Sequence, residues 1–204
     1  MLAMILERRR ARLRALPLPQ SWRDLIDQRV PHVGRMPRDL RWQLEMHVRV
    51  FVAEKRFVGV DGLEVTDEMR VVIAANACLL ALNRGSEVFP KVRRILIYPD
   101  RPLRETSRGS VAVGWSQVAH RLPGLNPVIH EFAGHLGTGP AESEAFFEDP
   151  GSMAVLHASL YQELRRLYRV DPAHWSPSRR LAPAIRAATQ VDSTTAGGLR
   201  SVTG

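Results

Sequence analysis

The chain has 204 residues, of which 45% are hydrophobic and 25% are charged. This composition is typical of a folded globular protein and excludes collagen-like and disordered classes. A single cysteine, Cys78, excludes a disulfide framework within one chain. The sequence has no run of about 18 apolar residues, and its arginines follow the apolar start instead of preceding it. We therefore expect no membrane span and no secretory signal, which favours a cytoplasmic location.

The net charge of +8 is concentrated at the two ends of the chain. Residues 1–15 carry five arginines and one glutamate, and residues 176–204 carry four arginines and one aspartate. A nucleic-acid-binding surface is expected to be a basic patch on the folded body. The distribution instead predicts a basic N-terminal arm (1–15), a folded domain (16–175) and a disordered C-terminal tail (176–204). Direct nucleic-acid binding is not expected.

The first half of the chain is predicted to be mainly helical. A short helix is predicted over 7–15, and helical spacing of Trp22, Leu25 and Ile26 predicts a second one. An amphipathic helix follows from Pro37 to about residue 55, and its Trp42 and His47 are expected to pack at the edge of the core. The next helix is predicted to begin at a Thr66 cap and to be largely buried, with Cys78 inside it as a small hydrophobic residue.

The second half combines short strands with helices. Apolar segments over 95–98 and 111–115 predict two strands, with a polar loop over 100–109 between them. The second strand is interpreted either as the edge of a cleft that pairs with an extended peptide or as a structural edge strand. Helices are predicted from Pro127, from Pro140 and over 160–168.

The helix from Pro127 carries the residues that indicate chemistry. His130, Glu131 and His135 resemble the pattern of a zinc hydrolase, in which two imidazoles hold the metal and a glutamate accepts a proton from the metal-bound water. The usual spacing places the histidines four residues apart, on one face of the helix. Here they are five apart, so on a regular helix they would be separated by about 140°. A single π-turn near Gly134 would realign them. Otherwise they are polar residues on an ordinary helix.

Several segments, in order, resemble the Mlc titration factor A family of zinc-dependent peptidases. The resemblance covers most of residues 16–175 and includes the segments 55–59, 64–70, 73–80, 95–99, 130–133, 143–150 and 160–172. The resemblance implies a mostly helical, zincin-like α+β domain with a small sheet, similar to the anthrax lethal factor catalytic domain. It also implies bound zinc, an aminopeptidase-like activity on short peptides and a partner of the Mlc repressor type.

Within that resemblance, His130 and His135 match the first two metal ligands, Glu131 the general base and Glu142 the third ligand, with Glu144 as an alternative. Two features depart from the family pattern. The long segment before the third ligand is missing, and no tyrosine occurs between residues 98 and 161 to stabilise the oxyanion. The leading hypothesis is therefore a zinc metallopeptidase, and the alternative is a catalytically impaired member that acts by binding a regulatory protein.

Overall fold

A computed structural model describes residues 1–84, 89–100 and 108–175. The described residues form helices α1 (Leu2–Ala15), α2 (Gln20–Arg29), α3 (Arg38–Glu54), α4 (Asp67–Leu79), α5 (Trp115–Ala119), α6 (Pro127–His135), α7 (Pro140–Glu148), α8 (Pro150–Leu156) and α9 (Ala158–Tyr168), and strands β1 (Arg56–Gly59), β2 (Arg94–Tyr98) and β3 (Ser110–Gly114). The expected class, a mostly helical α+β single domain with a small sheet, is confirmed. The expected tail and most of the expected polar loop lie outside the described residues.

The three strands form one parallel sheet in the order β1-β2-β3. Parallel strands need covered faces, and the inward side chains of β2, Ile95 and Ile97, are fully buried. All five residues of β3 are buried as well. This burial favours the interpretation of β3 as a structural edge strand over that of an open edge for a peptide.

Helix α4 lies at the centre of the core. Thr66 caps it as predicted, since its hydroxyl accepts a hydrogen bond of 3.2 Å from the amide of Met69. Every residue from Val71 to Leu79 is buried, and Cys78 is among them. Burial raises the pKa of the Cys78 thiol above its ordinary value. The thiol is therefore an inert part of the core, as the sequence indicated.

Helices α1 and α3 depart from the sequence-based predictions at two residues, Arg10 and Trp42. Helix α1 is held to α3 by Arg10, which is buried and donates two hydrogen bonds to the Glu54 carboxylate, at 2.7 and 3.0 Å. The prediction for Trp42 is wrong, because its side chain is 62% exposed. His47 does lie mostly within the protein, and its burial and the charge of Arg14 lower its pKa to about 4.

Candidate functional site

Helix α6, which carries the candidate metal ligands, is regular from end to end. At its start the Asn126 side chain accepts a hydrogen bond of 3.2 Å from the amide of Ile129, and Pro127 fills the first helical position. At its end Gly137 adopts a left-handed conformation with φ of 72°, and the Thr138 amide donates back to the Ala133 carbonyl at 3.2 Å. This is the usual glycine-terminated helix end. The helix is α-helical throughout, so the π-turn expected near Gly134 is not formed.

The regular winding separates the two histidines. Five residues at 3.6 per turn place the His130 and His135 side chains about 140° apart around the axis. Both histidines are exposed. The imidazole Nδ1 of His130 lies 3.1 Å from the Glu144 carboxylate, whereas His135 lies at the last position of the helix. The structure therefore brings His130 to a glutamate of α7 and leaves His135 on another side.

Helix α7 contains both glutamates considered as the third ligand. Glu142 is exposed, and its carboxylate folds back over Gly139, into the space that a Cβ on that glycine would occupy. Glu144 is buried, with 8% of its surface exposed. Its carboxylate accepts a hydrogen bond from the backbone amide of Asn126 in addition to contacting His130. Glu131 is exposed on α6.

A largely buried polar cluster, which the sequence analysis did not predict, adjoins the His130–Glu144 pair. It consists of His32, Asn76, Arg121, Asn126 and Glu148. The Asn126 side-chain amide donates to the Asn76 carbonyl oxygen at 2.8 Å and to Glu148 at 2.7 Å. Glu148 also accepts from Arg121 at 2.7 Å and lies 3.0 Å from the His32 imidazole. Asn126 followed by proline is a sequence signal for a helix N-cap. Its hydrogen-bond partners come from distant segments and could not be predicted from the sequence.

The electrostatics of this cluster favour an ionised Glu148. Burial by itself raises the pKa of the Glu148 carboxyl, but the hydrogen bonds from His32 and Asn126 and the charge of Arg121 lower it, and the net change is downward. The cluster therefore fixes the start of α6 against the end of α7, with one buried polar atom, Nδ1 of His32, left without a hydrogen-bond partner.

Neither tyrosine of the C-terminal region is placed at the His130 side chain. The Tyr168 hydroxyl is bonded to Thr138 at 2.9 Å and to Ser143 at 2.7 Å, and the residue is fully buried. The Tyr161 hydroxyl donates to Asp171 at 2.7 Å. The Tyr168 hydroxyl thus joins α9 to α7, and the Tyr161 hydroxyl joins α9 to the segment that follows it.

A zinc centre needs three protein ligands converging on one point. Among residues 1–84, 89–100 and 108–175, no group of three histidine, cysteine or acidic side chains is placed to hold a metal ion. The sequence-predicted donors His130, His135 and Glu142 belong to this part of the chain and do not converge. In this arrangement the residues do not fit the metal that the motif implies, and the ligand assignment stays a prediction.

The mostly helical α+β fold and the His-Glu pair on α6 agree with a metallopeptidase scaffold. The chain belongs to the glucose-regulated metallopeptidase family M90, whose family model matches residues 5–119. The family resemblance drawn from the sequence is thereby confirmed. The matched region begins within α1, runs to the end of α5 and includes β1, β2 and β3, and it ends before α6. Membership implies a metallopeptidase ancestry.

The chain is also similar to the uncharacterized protein slr2042 of Synechocystis sp. The two are 33% identical over 149 residues, which cover 60% of this chain and 54% of that protein. The chain thus spans about half the length of the curated relative it matches. Within the described residues, no helix has the length and apolar character needed to cross a bilayer.

Proposed function

We propose that this chain acts by binding a protein or peptide partner on a metallopeptidase scaffold, without an assembled hydrolytic centre. One observation carries the proposal: α6 is a regular helix in which the two histidines point about 140° apart while His130 is paired with Glu144. The family context supports a peptide-like ligand. The family resemblance adds a sugar-responsive repressor of the Mlc type as the partner to test first.

Glu144 stabilises its pairing with His130 through a second contact. Its two carboxylate oxygens contact different groups, the imidazole of His130 and the backbone amide of Asn126. Releasing His130 for a metal would leave the buried Glu144 carboxylate with one partner fewer, and a buried group that loses a partner is destabilised. The His130 side chain itself is 46% exposed. The cost of unpairing Glu144 supports the proposal that His130 stays paired.

The test compares the purified chain with its Glu131→Gln variant. Both are dialysed against buffer containing micromolar zinc, and their zinc content and their hydrolysis of short unblocked peptides are measured. The proposal expects far less than one zinc per chain and equal, background rates for the two proteins. One tightly bound zinc per chain, together with a rate that Glu131→Gln abolishes, would refute it. Binding to a purified Mlc-type repressor is measured separately by calorimetry.

A zinc-dependent, aminopeptidase-like activity is the second candidate, favoured by the His130-Glu131 pair and by family membership. It needs His130, His135 and Glu142 to meet at one ion, with Glu131 as the base. For that, α6 would have to accommodate one extra residue in the turn at Gly134.

Two changes at Gly134 separate the candidates. Deleting Gly134 places the histidines four residues apart, about 40° from alignment. If the natural spacing prevents metal binding, the deletion should tighten zinc binding at least tenfold. Gly134→Ala is the matched control, because a Cβ there meets only the Pro140 ring, at 3.8 Å. If zinc binds the natural chain tightly and the deletion weakens it, a π-turn exists in solution and the peptidase candidate is favoured.

A further inference from the structure

A second concave surface lies at the C-terminal end of α9, apart from α6 and the polar cluster. It is a cleft of about 470 Å³ lined by Arg84, Arg166, Leu167 and Arg169. Pockets that hold small organic ligands usually have volumes of about 300–1,000 Å³. Three of the four lining residues are arginines and none is acidic.

The floor of the cleft is fixed by contacts that use only part of the donor capacity of Arg84. One terminal nitrogen of Arg84 donates to the Leu167 carbonyl at 2.5 Å, and its guanidinium lies 5.4 Å from the centre of the Tyr168 ring. The Asn83 side chain donates to the Arg169 carbonyl at 2.8 Å. These bonds satisfy carbonyls at the end of α9 that would otherwise repel an anion. A guanidinium has five N–H donors, so Arg84 retains donors for a ligand.

Among the residues that the structure describes, the three positive charges of the cleft have no carboxylate partner. Burial and the nearby charge of Arg169 both lower the pKa of Arg84, and Tyr168 offsets them only in part. In the described parts of the chain, no acidic side chain pairs with Arg84, Arg166 or Arg169. Arg165, on the same helix, is by contrast bonded to Asp171 at 3.0 Å. An anion from solution would relieve this repulsion.

Arg169 occupies a backbone position that glycine usually fills. It ends α9 in the left-handed region, with φ of 57°, where a side chain is sterically disfavoured. Strain of this kind is more common where the side chain serves a function. Arginine suits phosphate in particular, since its planar fork donates two parallel hydrogen bonds to phosphate oxygens.

We propose that this cleft binds the phosphate group of a small phosphorylated molecule through Arg84, Arg166 and Arg169. The arginines meet in one open cleft and do not form a stripe along the surface, which favours a small ligand over a nucleic-acid backbone. The proposal is independent of the function proposed for α6, because no residue is shared.

Calorimetry on the full chain tests the proposal, at constant ionic strength in chloride buffer. Glycerol 3-phosphate and inorganic phosphate should bind, with dissociation constants of about a millimolar or lower, and glycerol should give no heat. Arg166→Gln and Arg169→Gly should each weaken phosphate binding at least fivefold. Arg169→Gly should also melt at the same or a higher temperature, since glycine suits the left-handed backbone, so a loss of binding cannot be ascribed to unfolding.

The matched control is Arg38→Gln, which removes one charge from an exposed arginine outside the cleft. It should leave phosphate binding unchanged. Equal weakening by Arg38→Gln and Arg166→Gln would reduce the effect to net charge and overturn the proposal, as would absence of binding to the natural chain. Tighter binding of a single-stranded oligonucleotide, lost in the same two cleft variants, would overturn the small-molecule assignment.

Discussion

Replacing Asn126 with alanine should lower the free energy of unfolding by about 2–4 kcal/mol. The change removes the cap on the Ile129 amide, which contributes about 1 kcal/mol in typical helices. It also removes the donor to Asn76, whose side chain is 3% exposed. A buried acceptor left without a partner costs about 1–3 kcal/mol. Glu148 contributes little to the sum, because it keeps its bonds to Arg121 and His32.

The assay is urea unfolding at pH 7, followed by circular dichroism, with Thr66→Ala as the matched control. Thr66 caps α4 through one hydrogen bond of 3.2 Å and does not belong to the buried polar cluster, so its loss should cost about 1 kcal/mol. The excess for Asn126→Ala over Thr66→Ala isolates the contribution of the cluster. An excess below about 0.5 kcal/mol would refute the reasoning. A double-mutant cycle of Asn126→Ala with Asn76→Ala should show coupling of about 1 kcal/mol or more.

Three further predictions concern titration and backbone geometry. His47, whose pKa is lowered to about 4, stays neutral in the folded protein, whereas in the unfolded chain it takes up a proton below about pH 6.5. The free energy of unfolding should therefore fall by about 2 kcal/mol between pH 7 and 5. In urea unfolding, His47→Gln should show a weaker dependence of stability on pH over this range. Glu148 has a lowered pKa, so its contribution to stability is present above about pH 4.3, the unfolded value, and is lost as the pH falls through the folded pKa. Glu148→Gln should therefore be less stable than the natural chain at pH 7. It should also lose less stability on acidification below about pH 4.3, as measured by the same unfolding assay. Gly59→Ala should prevent or severely impair folding, because a Cβ would collide with the backbone carbonyl of Leu63. The control is Gly34→Ala, whose Cβ meets nothing within 4 Å, and it should fold normally. Thermal melts of the two variants test this prediction.

The sequence predicted the elements whose patterns are local. Thr66 before an apolar helix is a start signal that depends only on neighbouring residues, and this cap is found where expected. Helix α8 was missed, since Pro150 followed by Gly151 reads as a break. The prediction for Trp42 was wrong because this residue lies two positions after the buried Leu40. Two positions correspond to a rotation of about 200° around a helix, which places Trp42 on the side that faces solvent.

The polar cluster could not be predicted from local patterns. Its contact between His32 and Glu148 joins residues 116 positions apart. Single charged residues along a sequence read as surface residues in most cases, and only the packing of α6 and α7 reveals that these are buried. For the same reason, the sequence left open whether Glu142 or Glu144 is the third metal ligand, and it did not predict the contact of Glu144 with His130.

The length of the connection between α6 and α7 decides which glutamate reaches His130. Only residues 136–139 join the two helices, and such short links make neighbouring helices antiparallel. The start of α6 then lies beside the later turns of α7, and the side of α7 that faces α6 carries the buried Glu144. Glu142, in the first turn, lies near the link and turns back on Gly139. Relative to the family pattern, the shortened connection thus favours the His130–Glu144 pair over convergence of His130, His135 and Glu142, because it fixes the register of the two helices.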